Sequence, residues 1–212
     1  MQARFPPIYA ILDPDVASRP LVSLAKTLAD AGVQLMQLRD KHSPARRVYE
    51  QVRELAMVLP SNVRLIVNDR PDIAAMSGAQ GVHVGQNDLP VEEARKIYRP
   101  PRWVGVSTHS LEQVREADRT SADYIAIGPI FPTGTKENPD PVVGVDFLRA
   151  VRQMTRKPLV AIGGITVESA AEVFCAGADA LAVIRDLVGA ADPGARVREY
   201  MAIVERTRTE RS

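Results

Sequence analysis

The stretch Asp123–Lys136, DYIAIGPIFPTGTK, joins an apolar run that suits a buried strand to a Gly-Pro step that ends it. A short polar segment follows, in which Thr133 and Thr135 flank Gly134 and Lys136 closes the run. Hydroxyls, backbone N–H groups and an ammonium are the groups that hold a phosphorylated ligand. An ordinary loop after a strand accounts for the same residues. What surrounds the segment decides between the two.

The same order of apolar run, polar turn and amphipathic stretch recurs along the chain. The spacing predicts strands at Ile8–Leu12, Leu35–Leu38, Leu65–Asn68, Gly81–Val84, Trp103–Ser107, Tyr124–Gly128, Leu159–Ile162 and Ala180–Ile184. Helical patterns fill the gaps, from Leu21–Ala31 to Pro193–Glu205. Continuously apolar strands that alternate with helices call for a parallel sheet covered on both faces. Eight such pairs in 212 residues match a closed (β/α)8 barrel, a TIM barrel, near the compact end of that fold. A doubly wound open sheet is the alternative, but no GxGxxG follows the first strand. No linker or change of composition divides the chain, so residues 1–212 read as one domain, with a solvated tail from about residue 206.

A chain that is 45% hydrophobic buries a sizeable core, and a net charge of +1 gives no case for nucleic acid or an anionic membrane. No apolar run is long enough to span a bilayer, and MQARFPPIYAIL lacks a secretory layout. Cys175 is the single cysteine, which excludes an internal disulfide and suits a reducing cytoplasm. In AAEVFCAGADA it reads as a small buried residue rather than a nucleophile.

In a (β/α)8 barrel the chemistry sits at the C-terminal ends of the strands. Polar residues crowd those positions here. Gln37, Arg39 and Lys41 alternate at the end of the second strand and so point one way, as anion binders with an amide for a heterocycle edge, or as a solvating rim. Arg39 pairing with a neighbouring carboxylate is a further reading. Asp69 and Asp88 end adjacent strands and could converge on Mg²⁺, or each could cap a following helix. Gly163-Gly164 precedes a helix that starts near Thr166, a position suited to a phosphate site and equally to a plain turn. His83 and His109 are open to acid–base or structural roles. These residues together describe a metal–diphosphate half-site beside a separate phosphate site.

The ordered signatures QLRDK, NDR, HVGQND, GVSTH, GPIFPTGTK and AIGGI resemble the thiamine-phosphate synthase family, from about Tyr9 to Ile184. The resemblance implies a Mg²⁺-dependent enzyme of thiamine biosynthesis, a transferase that joins hydroxymethylpyrimidine diphosphate to hydroxyethylthiazole phosphate through a dissociative, carbocation-like step. It implies that Gln37, Arg39, Lys41, Asn68 and Lys136 bind the pyrimidine diphosphate, with Arg39, Lys41 and Lys136 catalytic. Asp69 and Asp88 would hold the metal. Thr133, Thr135, Gly164, Ile184 and Arg185 would face the thiazole phosphate, and Ser107 would join the pyrimidine diphosphate set. Many relatives carry Ile-Ser where this chain has Ile184-Arg185. That arginine could hold the phosphate or pair outward with Asp186, which leaves plain and carboxylated thiazole phosphates both open as acceptors. A related thiazole tautomerase, with His109 as its proton-transfer residue, and a non-catalytic thiamine binder are the rival readings. The expected partners are small molecules, with no nucleic acid and no membrane, and a homo-oligomer stays open.

Overall fold

Alternation within each apolar run sends successive side chains to opposite faces of the sheet, and closing the sheet makes those faces an inside and an outside. The computed structural model describes residues 5–134 and 140–210. Its strands are β1 (Ile8–Leu12), β2 (Leu35–Leu38), β3 (Arg64–Asn68), β4 (Gly81–Val84), β5 (Trp103–Thr108), β6 (Tyr124–Ile127), β7 (Leu159–Ile162) and β8 (Ala180–Val183). They form a closed parallel barrel in sequence order, with β8 pairing back to β1 through Ile8 opposite Leu181 and Tyr9 opposite Ala182. The (β/α)8 barrel expected from the sequence is the fold observed.

The helices are α1 (Leu21–Asp30), α2 (Ala45–Val58), α3 (Pro71–Ser77), α4 (Val91–Ile97), α5 (Leu111–Arg119), α6 (Gly144–Arg152), α7 (Val167–Cys175), α8 (Arg185–Val188) and α9 (Pro193–Glu210). Most of them turn an apolar face toward the barrel, whereas α9 packs against α1, α7 and α8. On α2 the buried face is Val48, Gln51, Val52 and Leu55, at the spacing of one helix face. Two elements differ from expectation. Helix α8 has no counterpart among the expected helices, and its Leu187 and Val188 are both buried. Helix α9 continues through Glu210, so the segment from 206 is no solvated tail as far as it is described. Thr207 is 3% exposed and continues the buried row of Val197, Tyr200 and Val204. Cys175 corrects a third reading. The buried face of α7 is Ala170, Val173 and Phe174, which turns the thiol to solvent. Among the described residues no helix is long and apolar enough to cross a membrane.

The barrel interior is a second core, built from Tyr9, Ile11, Leu35, Ile66, Tyr124 and Val160 with smaller residues from β6 and β8. Phe5 closes its lower end, stacked on Trp103 at 5.0 Å, and the Arg64 guanidinium lies 4.2 Å from the Trp103 ring centre. Large rings fit only because glycines face them. A Cβ at Gly105 would lie 2.0 Å from Cζ of Tyr124, and one at Gly81 would lie 2.2 Å from Cδ1 of Ile66. Tyr124 cannot retreat, being fully buried. Gly105→Ala is therefore expected to cost about 1–3 kcal/mol of stability through overpacking. Urea unfolding measures this, and an unchanged midpoint would mean the floor is less tightly packed than described.

Candidate active site

Above that floor the inner side chains shorten or turn polar, and a cavity of about 740 Å³ opens at the C-terminal ends of the strands. That size suits a small-molecule site. Gln37, Arg39, Lys41, Asn68, Asp69 and Asp88 line one side of it; Thr133, Gly164, Ile184 and Arg185 line the other, and Ser107 also borders it. Thr135 and Lys136, also expected here, lie outside the described residues.

The first side is built around charge. Arg39 Nη1 donates to Asp13 Oδ2 at 2.5 Å, and Asp13 is 2% exposed, with its other oxygen accepting from the Asp15 N–H. The sequence reading allowed such a carboxylate partner, and β1 supplies it. This pairing fixes the guanidinium at the cavity wall. Lys41 Nζ lies 3.3 Å from Asp69 Oδ2, which also accepts from Asn68 Nδ2 at 2.6 Å.

Asp69 has φ +60° and donates its backbone N–H to the His83 carbonyl at 2.7 Å. Left-handed backbone at a residue other than glycine costs energy and recurs at ligand sites. Asp88 reaches its place from the turn after β4, where Oδ2 accepts from the Gly85 N–H at 2.8 Å, and its carboxyl lies within hydrogen-bonding reach of Asp69. Burial first, and then the Asp88 carboxyl, raise the Asp69 carboxyl to about 6, against an opposing pull from Lys41. Neither aspartate caps a helix. The N-cap positions of α3 and α4 are Arg70 and Pro90, without side-chain caps. Two hard oxygen donors held together at the cost of mutual repulsion fit a divalent cation such as Mg²⁺. Among the described residues no group of three or more His, Cys, Asp or Glu is placed to hold a metal. A cation here would thus complete its shell with water and substrate oxygens.

On the other side, the segment after β6 lies against the end of β7, with Ile130 N–H donating to Ile162 O and Phe131 N–H to Gly163 O. Gly163 and Gly164 have φ +98° and +63°, and a Cβ on Gly164 would lie 2.5 Å from the Pro132 carbonyl oxygen. Packing of two loops thus requires this glycine pair, whatever ligand it also faces. Helix α7 begins at an N-cap on Thr166, as expected. Arg185 opens α8 and donates from Nη2 to the Gly134 carbonyl at 2.8 Å. Asp186 is engaged elsewhere, accepting from Tyr200 at 2.6 Å, with Arg196 at 3.6 Å.

The histidines differ in setting. His109 Nδ1 donates to the Gly128 carbonyl at 2.5 Å, while Nε2 lies 3.4 Å from Asp140. His83 is buried between Tyr124 and Ser107. The sequence reading gave no role to Tyr9 or Tyr124, which look like ordinary strand residues. The available signal was that a buried phenol needs a hydrogen-bond partner.

Comparison with known proteins agrees with this geometry. Residues 8–187 match the family described as thiamine monophosphate synthase (TMP-TENI). The thiamine-phosphate synthase of Koribacter versatilis is 50% identical over 206 residues, covering 95% of this chain and 97% of that protein. That of Shouchella clausii is 40% identical, over 93% and 96%. A solved thiamine phosphate pyrophosphorylase from Pyrococcus furiosus superposes with a TM-score of 0.86 at 34% identity, covering 95% of this chain and 96% of that one.

Burial lowers the His83 ring to about 4, below its ordinary 6.5. The unfolded chain then binds a proton that the folded chain refuses, so stability is complete above pH 6.5 and falls as pH drops toward 4. Between pH 7.5 and pH 5 the wild type is expected to lose on the order of 2 kcal/mol more than His83→Gln. Urea unfolding at the two pH values checks this; parallel losses in both proteins would contradict it.

Proposed function

The chain belongs to the thiamine monophosphate synthase family, a family of transferases, and on that premise we propose that it condenses hydroxymethylpyrimidine diphosphate with hydroxyethylthiazole phosphate, plain or carboxylated. Thiamine phosphate and diphosphate are the products. The observation that carries this reading is the meeting of Arg39 and Lys41 with the Asp69–Asp88 pair at one side of the barrel mouth. Such a wall suits a diphosphate, and the glycine-lined wall opposite leaves room for a second, phosphorylated substrate.

Asp69 and Asp88 would hold Mg²⁺, which when bound neutralises charge on the diphosphate. Arg39, held in place by Asp13, and Lys41 stabilise the negative charge that grows on the leaving oxygen. Lys136 belongs to the same set by resemblance. Gln37 and Asn68 orient the aminopyrimidine. The methylene carbon–oxygen bond breaks first, giving a cation stabilised by the electron-rich ring, and the thiazole nitrogen then forms the new carbon–nitrogen bond. That nitrogen carries no proton, so the step needs no general base. Thr133, Thr135, Gly164, Ile184 and Arg185 receive the thiazole phosphate, and Ser107 contributes to binding the pyrimidine diphosphate. We place the reaction in the cytoplasm, which the single cysteine supports.

Purified protein given both substrates and Mg²⁺ is expected to release thiamine phosphate and diphosphate together, and EDTA to stop both. Isomerised thiazole phosphate under EDTA, with no coupled product under Mg²⁺, would identify the tautomerase instead. Arg39→Ala and Lys41→Ala should each lower kcat about a hundredfold. A rise in KM alone, at unchanged kcat, would confine these residues to ground-state binding.

A further inference from the structure

Five side chains from five strands form one hydrogen-bonded chain across the cavity floor. Gln37 Nε2 lies 2.6 Å from Tyr9 Oη, and Tyr9 Oη lies 2.9 Å from Tyr124 Oη. Tyr124 Oη lies 3.1 Å from His83 Nδ1, and His83 Nε2 lies 2.8 Å from Ser107 Oγ. Gln37 and Ser107, at the two ends, line the cavity. Tyr9 and Tyr124 between them are 1% and 0% exposed.

Counting protons gives the chain a direction. The Gln37 Nε2 group only donates, so Tyr9 Oη accepts. Gln37 and Tyr124 are the hydrogen-bond partners of Tyr9 among the described residues, so the Tyr9 proton goes to Tyr124. The Tyr124 proton then goes to His83 Nδ1. With Nδ1 accepting, His83 carries its proton on Nε2 and gives it to Ser107 Oγ. Reversing one link alone strands a buried phenol proton without an acceptor. The chain can reverse only as a whole, by turning the Gln37 amide over. The structure has Nε2 on Tyr9, which keeps Oε1 as the amide's acceptor.

We propose that Tyr9, Tyr124 and His83 are positioning residues that couple Gln37 to Ser107, so that the floor presents an acceptor at Gln37 Oε1 and a hydroxyl donor at Ser107. A ring edge bearing an amine satisfies Oε1; a carbonyl in the same place opposes it. The chain thereby selects an amino heterocycle over its deaminated, oxo-bearing counterpart. This inference rests on the pyrimidine reading above, and deepens it by naming the residues that set which ring edge is accepted.

The test uses two ligands that lack the diphosphate leaving group, the amino and the oxo forms of hydroxymethylpyrimidine monophosphate. Calorimetry on the wild type is expected to show the amino form binding at least tenfold more tightly. Tyr124→Phe and Tyr9→Phe keep the ring but cut the chain, and each should reduce that ratio severalfold. The KM for thiazole phosphate should stay within twofold. Nitrogen-15 NMR of His83 should show the Nε2–H tautomer in the wild type and a displaced Nδ1 resonance in Tyr124→Phe. An Nδ1–H tautomer in the wild type, a Kd ratio unmoved in both variants, or binding of neither ligand overturns the proposal. A wild type that makes no thiamine phosphate is instead the failure of the functional reading. The tautomer and the Kd ratio are read without turnover, so the two failures are distinguishable.

Discussion

Closure of β8 onto β1 is the constraint from which the remaining structure follows. A sheet with no free edge must divide its side chains between an inside and an outside, and the pairing of Tyr9 with Ala182 fixes which residues go where. The interior is narrow, so bulky and minimal residues have to alternate around it. Tyr124 takes the space that Gly105 leaves, Ile66 the space left at Gly81, and Phe5 closes the lower end against Trp103. With the lower barrel filled, the cavity opens at the top. The cavity is thus a product of packing, and the strand ends that surround it supply its chemistry.

Charge at that mouth is organised before any ligand arrives. Asp13 is buried and holds Arg39 by a short ion pair, so the guanidinium loses little freedom when an anion binds. On the same side, Asp69 and Asp88 are kept within reach of each other by an Asp69 backbone in the left-handed region and by the turn at Gly85. Burial first, and then the neighbouring Asp88 carboxyl, raise the Asp69 carboxyl above its ordinary range. The polar floor beneath is different in kind: a run of hydrogen-bonded uncharged side chains whose middle members, Tyr9 and Tyr124, are buried. The wall supplies field strength, and the floor supplies direction.

How much of this was legible in the sequence depended on whether a feature was local. Strand boundaries fell within one residue of expectation because buried parallel strands are uninterrupted apolar runs ended by glycine, proline or a charge. Helix α8 escaped because four residues are too few to show a period, and α9 ran on because Thr207 looks polar yet has its hydroxyl bonded to the Ile203 carbonyl. Cys175 faces solvent against expectation because a residue type names a preference, whereas the helix phase set by Ala170, Val173 and Phe174 decides the face.

For the site, the sequence by itself determined the fold, the crowding of polar residues at one end of it, and the family, since ordered motifs at strand ends survive as local text. Only the tertiary structure decided partnership. That Asp13 holds Arg39 across 26 positions, that Asp69 and Asp88 meet and do not cap helices, and that Tyr9 reaches Tyr124 across 115 positions are consequences of barrel closure. Hydrogen bonds and ion pairs act over a few ångströms in space, and sequence distance carries no record of which residues a closed sheet will bring that near.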